Sequence, residues 1–383
     1  MGKKKKRKVR AEFRKNRSQR TRDTDWTRQF ERHGFEETDP VLEERISGKG
    51  DLTRRRTVMG EQVEEGEEPH LGIHLEVDEA ICRAGRVLSV HGLSCMVRDE
   101  ESGDVYPCAV RRLLKTLSTD QRHVVAAGDC VQFRPVENSD VAEGIIERIE
   151  PRHGSLCRAS RGRQHILVTN VDQVLIITSA AEPRLKPNLI DRLLIAAEKA
   201  DVRPVICINK IDLVDPAGLQ PLVGVYSRMG YRVLLASAKT GFGIERLRRC
   251  LTDRESVLAG QSGVGKSSLL NAVDEDLDLR VSEVSRETQK GRHTTTTARL
   301  FPLSFGGYVV DTPGIRQYQL WDVIPEEVAA FYRDLRPYVN HCRFPDCTHS
   351  HEEDCAVKDA VADGHIDERR YESYCHLYSG GML

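Results

Sequence analysis

Residues 257–271 read VLAGQSGVGKSSLLN, and Gly260, Gly265, Lys266 and Ser267 fit the spacing G-x-x-x-x-G-K-[ST]. That spacing has a chemical purpose. Glycines let the backbone approach an anion closely, and successive N–H groups with a helix N-terminus offer it partial positive charge. Lys266 is placed to reach the outer phosphates of a nucleoside triphosphate, and Ser267 to put its hydroxyl on Mg²⁺. Such a loop needs a strand before it and a helix after it. Val257-Leu258-Ala259 supplies the strand, and Ser268-Leu269-Leu270-Asn271 opens the helix.

Three further stretches narrow the nucleotide. Asn209-Lys210-Ile211-Asp212 is an N-K-x-D, Ser237-Ala238-Lys239 an S-A-K and Asp311-Thr312-Pro313-Gly314 a D-T-P-G. A carboxylate at Asp212 accepts both N–H groups on the guanine edge, which adenine does not offer, and unmatched buried polar groups are costly. Asn209 is suited to brace neighbouring loops and Lys210 to lie against the base. Asp311 stands where a carboxylate holds Mg²⁺ through water, and the Gly314 N–H where it meets a γ-phosphate.

The elements that position these residues alternate. Strand-like runs at 173–178, 204–208, 231–235, 257–259 and 307–310 are separated by helical patterns at 189–199, 219–229 and 244–251. That alternation predicts an α/β domain, a doubly wound parallel sheet covered on both faces. Ligands of such sheets sit at the carboxyl ends of strands, and each motif directly follows one.

Before this domain, short strand-like runs at 84–90, 94–97, 105–110, 129–133 and 143–149 predict a small β-barrel of the OB type, a fold that binds single-stranded nucleic acid or oligosaccharide on one face. Arg111, Arg112, Lys115, Arg122 and His123 lie in or near one of its connections and are candidates for phosphates or for an ordinary polar loop. Residues 1 to about 75 are polar, with segregated charge, and predict a disordered arm. Residues 1–22 carry twelve Lys and Arg against Glu12 alone, and the whole chain of 383 residues has net charge −1, so the remainder carries −12. A basic arm on an acidic body suits a polyanion such as RNA. A weak helix is expected around Trp26 to His33.

Hydrophobic content of 39% and charged content of 31% suit sizeable cores. No run approaches the ~18 apolar residues of a membrane helix, and no apolar signal region follows the N-terminus, so neither membrane insertion nor secretion is expected. Of the 11 cysteines, Cys342, Cys347 and Cys355 cluster with His349 as C-x₄-C-x-H-x₅-C. Three thiolates and an imidazole make a closed tetrahedral zinc site, and metal supplies folding energy to a stretch poor in apolar residues. His341 and His351 compete for the fourth position on spacing alone. Beyond the cluster, residues 356–362 and 366–377 read as helices. Arg369, Arg370, Tyr371, Tyr374 and Tyr378 there suit either base stacking or packing on the zinc unit.

The nucleotide motifs are those of a GTPase in rotated order, with N-K-x-D and S-A-K before the phosphate loop and D-T-P-G. With a barrel before and a cysteine cluster after, residues 80–383 resemble the ribosome small-subunit-dependent GTPase A family (RsgA, also called YjeQ), whose members are circularly permuted GTPases. Gly291-Arg292-His293-Thr294-Thr295-Thr296 is similar to the family's G-x-H-T-T-T first switch. Ile315 follows D-T-P-G, and an aliphatic side chain orients no water, so the resemblance points to His293 as the catalytic group.

The resemblance implies three folded domains: an OB-fold barrel over 78–155, a permuted GTPase domain over 156–335 and a zinc-binding helical domain over 336–383, behind an arm over 1–77. It carries GTP contacts onto Asn209, Lys210, Asp212, Ser237, Ala238 and Lys239, the loop residues Gly260, Gln261, Ser262, Gly263, Val264, Gly265, Lys266, Ser267 and Ser268, and Asp311 and Gly314. Magnesium falls to Ser267, Thr295 and Asp311, and zinc to Cys342, Cys347, His349 and Cys355. The implied protein is a cytoplasmic monomer that binds the small ribosomal subunit and its rRNA late in maturation and hydrolyses GTP to GDP with subunit-stimulated turnover. The alternatives are an RNA-binding scaffold that uses GTP as a clamp, and another P-loop nucleotide hydrolase. The rotated order leads from D-T-P-G straight into the zinc domain, so nucleotide state is expected to shift that domain.

Overall fold

The computed structural model describes residues 8–12, 55–62, 73–75, 77–78, 80–92, 94–111, 114, 124–136, 143–160, 163–277, 279, 298–311 and 324–380. Within the arm, β1 (Lys8–Glu12), β2 (Arg55–Gln62) and β3 (Ile73–Leu75) pair as an antiparallel sheet, with Val9 opposite Val58 and Gly60 opposite Leu75. Val9 and Ala11 alternate with Lys8, Arg10 and Glu12 at the period of a strand, a pattern outweighed by charge when the arm is read from composition. The helix expected around Trp26 lies outside the described residues.

The barrel is built from β4 (Arg83–His91), β5 (Ser94–Asp99), β6 (Val105–Val110), β7 (Cys130–Pro135) and β8 (Gly144–Ile149). Its order β4-β5-β6-β8-β7 closes through β4–β7, and only β6–β8 is parallel, the OB connectivity. Alternation along the strands sends Val87, Val97, Val131, Phe133 and Ile146 into one core. Gly85 permits the wall to close on that core, since a Cβ there would stand 2.6 Å from Val97.

A hairpin of β9 (Leu156–Ser160) and β10 (Arg163–Val168) leads into the α/β domain. Its sheet runs β13 (Arg232–Leu235), β12 (Arg203–Asn209), β11 (Gln173–Ser179), β14 (Glu255–Ala259), β16 (Tyr308–Asp311), β15 (Arg299–Pro302), and all pairs are parallel except β15–β16. Every residue of β11 is buried. Val174 and Ile176 point to the face holding α1 (Pro187–Lys199) and α2 (Gln220–Arg228), while Leu175 and Ile177 point to that holding α3 (Ile244–Leu251) and α4 (Lys266–Val273). An apolar run with no alternation is what a strand covered on both faces requires.

Barrel and sheet are continuous. Arg299 of β15 pairs with Ser89 of β4. Arg86 of the barrel meets Glu255 at the start of β14, and Arg98 donates to the Tyr308 hydroxyl at 3.1 Å. Buried Arg152 grips Asp129 at 2.6 Å, and the Thr169 hydroxyl donates to the same carboxylate at 2.8 Å.

The C-terminal unit contains α5 (Val328–Phe331), α6 (Arg336–Val339), α7 (Ala356–Ala362) and α8 (Glu368–Tyr378). Its core of Tyr332, Leu335, Val357, Ile366 and Tyr374 takes in Ile195 from α1. Lys199 pairs with Glu327 at 2.8 Å and Arg333 with Glu198 at 2.7 Å across the same junction. Among the described residues no helix is long and apolar enough to cross a membrane.

Candidate nucleotide and metal sites

The carboxyl edge of the sheet collects the predicted residues. β14 ends at Ala259 and the loop Gly260 to Gly265 turns into α4 at Lys266. Two glycines there are structurally required. Gly260 has φ +141°, and a Cβ would lie 2.0 Å from the Ile177 carbonyl; Gly265 has φ +89°, and a Cβ would lie 2.5 Å from the Asn209 amide nitrogen. The loop thus presses directly on the ends of β11 and β12.

Asn209, buried at the end of β12, ties two loops together. Its amide donates to the Val264 carbonyl at 2.9 Å, and its carbonyl accepts from the Ala238 N–H at 3.3 Å. The sequence-based role of Asn209 as a brace matches this geometry. Lys210 follows in the left-handed region at φ +60° and donates to the Gly263 carbonyl at 2.8 Å and to the Glu182 carbonyl. Its aliphatic stem lines the cleft while its ammonium is spent on backbone.

Asp212 accepts from the Ser237 hydroxyl at 2.6 Å, and Ser237 in turn accepts from the Thr240 N–H at 3.2 Å. One carboxylate oxygen is so fixed by a buried serine. Asn209, Lys210, Asp212, Leu213, Ala238, Lys239, Gly265 and Ser268 line an open cleft of about 380 Å³. The apolar stem of Lys210 and the half-exposed Leu213 suit a flat base, and Asp212 suits its N–H edge. Lys266 donates to the carbonyls of Gly260 and Gln261 at 2.9 and 2.8 Å, folded back on its own loop.

Ser267 sits in the first turn of α4, and the backbone of Asp311 ends β16 beside β14. His293, Thr295 and Gly314 lie outside the described residues. Reading motifs alone missed the segment after β11, whose Glu182 carbonyl holds Lys210, and Leu213. The rule that ligands gather at strand ends pointed to both.

In the C-terminal unit, one ligand atom each from Cys342, Cys347, His349 and Cys355 lies within 4.8 Å of the others. The Cys342 and Cys355 sulfurs are 3.8 Å apart, and His349 Nδ1 is 3.4 Å from the first and 3.5 Å from the second. Tetrahedral bonds of about 2.3 Å to sulfur place two sulfurs about 3.8 Å apart, so the set can hold a metal. Burial lowers the His349 pKa and favours the neutral imidazole a metal needs. Left-handed backbone at His349, φ +58°, turns its ring inward, while His341 and His351 are exposed and outside the set.

Tyr371 and Tyr374 donate to the carbonyls of His349 and Thr348 at 2.7 and 2.8 Å, so they pack on the Cys/His unit. Arg370 is buried and ion-paired. In the barrel, Arg111 pairs with Glu147 at 3.0 Å, and Arg112, Lys115, Arg122 and His123 lie outside the described residues.

Known proteins share this arrangement. The family model described as RsgA GTPase matches residues 149–321. The small ribosomal subunit biogenesis GTPase RsgA of Sodalis glossinidius is 41% identical over 301 residues, covering 77% of this chain and 84% of that protein. Its namesake from Thermotoga petrophila is 41% identical over 299 residues, covering 77% and 96%. The crystal structure of YjeQ from Thermotoga maritima superposes with TM-score 0.63 at 37% identity, covering 78% of this chain and 98% of that one. YloQ, described as a circularly permuted GTPase, gives 0.61 at 29%, covering 80% and 98%. With the barrel, the permuted nucleotide sheet and the Cys/His unit in place, this identity and coverage make the chain a member of the RsgA GTPase family.

Proposed function

We propose that the chain binds the small ribosomal subunit during its maturation and hydrolyses GTP to GDP and phosphate, with turnover stimulated by the subunit. The observation that carries the nucleotide half is Asn209, which hydrogen-bonds the phosphate loop through Val264 and the S-A-K loop through Ala238. One residue thereby holds base and phosphate subsites in fixed relation. The subunit half is supported by the printed names of the relatives.

In this reading Asp212 takes the guanine edge, Lys210 and Ala238 flank the base, and the N–H groups of residues 260–268 cradle the phosphates. Lys266 leaves its carbonyl partners for the β- and γ-phosphates. Ser267, Asp311 and Thr295 would hold Mg²⁺, which neutralises developing phosphate charge. Gly314 meets the γ-phosphate and His293 orients the attacking water. Zinc is the metal at Cys342, Cys347, His349 and Cys355. The protein acts as a cytoplasmic monomer, with domains over 78–155, 156–335 and 336–383 behind the arm over 1–77. The +11 carried by residues 1–22 of that arm adds electrostatic attraction to rRNA.

GTP hydrolysis by the purified chain, alone and with small subunits, tests the reading. Stimulation that vanishes in Lys266→Ala is expected. Tight GTP binding with no stimulation would leave an RNA-binding scaffold that uses GTP as a clamp.

A further inference from the structure

The turn between β13 and α3 holds an aromatic ring that the nucleotide cleft does not use. Phe242 is 54% exposed, yet its backbone is fixed: its carbonyl accepts from the Ser237 N–H at 2.9 Å. Gly241 and Gly243 on either side have φ +78° and +74°. A Cβ at position 243 would stand 2.1 Å from the Leu235 carbonyl, so the turn is pressed against the end of β13. The chain therefore holds Phe242 outward on a tight support instead of folding it onto the core. Loops built this way present side chains for contact.

The surroundings are cationic. Lys239 and Thr240 precede Phe242 in the turn, Glu245, Arg246 and Arg249 follow it on α3, and all five are exposed. Glu245 is already engaged by Arg249 at 3.7 Å. Lys239 and Arg246 have no acidic partner among the described residues. No other apolar side chain of the turn is exposed. A protein hot spot needs an apolar surround that excludes water, whereas a nucleobase stacks on a single ring and brings phosphates to nearby cations.

We propose that this turn is an RNA contact, with Phe242 stacking on an unpaired base and Lys239 and Arg246 meeting the flanking phosphates. The proposal rests on the small subunit as partner and names a surface for it outside the barrel and the Cys/His unit. The same loop carries Ser237, which fixes Asp212, and Ala238, which bonds Asn209. An RNA seated on Phe242 is thereby one loop away from the guanine subsite.

The test is binding of the full chain, loaded with a non-hydrolysable GTP analogue, to purified small subunits. Phe242→Ala should weaken binding roughly 5- to 150-fold, the range for one base–aromatic stack. Phe242→Tyr should keep affinity and Phe242→Leu should behave as alanine. Nucleotide affinity and melting temperature should not move. Wild-type binding by the alanine variant overturns the contact, as does full rescue by leucine, which would mark an apolar protein groove. A wild-type chain that ignores the subunit would sink the proposed function instead. Binding to a single-stranded oligouridylate then decides the contact, and equal affinity of wild type and Phe242→Ala overturns it.

Discussion

Arg370 on α8 lies 2.5 Å from Asp191 on α1, and the two side chains are 4% and 1% exposed. The same guanidinium spans both oxygens of Asp334 at 2.9 and 3.0 Å and lies over the Tyr332 ring at 4.2 Å. Burial opposes its charge, but Asp191 and Asp334 outweigh that and hold the Arg370 pKa well above its ordinary value. This cluster fixes the Cys/His unit to the nucleotide domain. Arg370→Ala leaves two carboxylates buried without their cation, a loss of about 3–5 kcal/mol. Thermal unfolding should show it, and a variant as stable as wild type would contradict it.

The rotated order of motifs predicts that nucleotide state moves the Cys/His domain. In the structure that movement has to break Arg370–Asp191, Arg333–Glu198 and Lys199–Glu327 together. Where those three pairs hold in both states, fluorescence transfer between barrel and Cys/His unit should read the same distance with GDP and with a GTP analogue; a change would show that the nucleotide breaks them. In Arg370→Ala the distance should broaden.

Glu255 gives a pH signature. Burial pushes its carboxyl up to about 8, against the lowering pull of Arg86, with Asp172 and Glu100 adding repulsion. The folded chain then holds a proton that the unfolded chain releases above about 4.5. Proton binding favours the native state, so this contribution is whole below about 4.5 and is lost as pH rises through 8. Glu255→Gln should flatten the fall in melting temperature across that window. An unchanged pH profile would refute the assignment.

Three substitutions separate recognition from turnover. Asp212→Asn should cut the preference for GTP over ATP by 10²-fold or more, because one of the two acceptors for the guanine N–H edge becomes an N–H donor, as competition binding would show. Ser237→Ala removes one hydrogen bond to Asp212 and should cost about 0.5–1.5 kcal/mol in GTP binding, read by titration. Lys266→Ala should lower kcat by roughly 10²-fold or more while the fold persists.

Chelation should release close to one metal per chain and unfold the region around α7 and α8, seen as accelerated proteolysis beyond residue 340. Nucleotide affinity should survive, since the cleft takes no residue from that unit. Cys355→Ser should reproduce the chelated state.

Most of the candidate site was legible in the sequence because each motif sits at a strand end, where local chemistry and fold coincide. The predicted helix over 244–251 and that over 356–362 match α3 and α7 to the residue. What was hidden depends on distant partners. Nothing around position 370 says whether its arginine meets a phosphate or Asp191, some 180 residues away; only packing decides. The β9–β10 hairpin shows no clean alternation, since Ile166, Leu167 and Val168 run together, and β15 is short. The Glu182 carbonyl that holds Lys210 is backbone, which no side-chain pattern reports.

Ser89 opposite Arg299 has a consequence for how such proteins are assembled over generations. A barrel that shares a hydrogen-bonded edge with its neighbour is not a cassette. A transplanted barrel has to bring a matching edge strand and an arginine for Glu255, or β15 is left as an open edge and the buried Glu255 side chain loses its partner. Recombination between relatives should therefore keep barrel and nucleotide sheet together, while the basic arm ahead of them is free to be gained, lost or replaced.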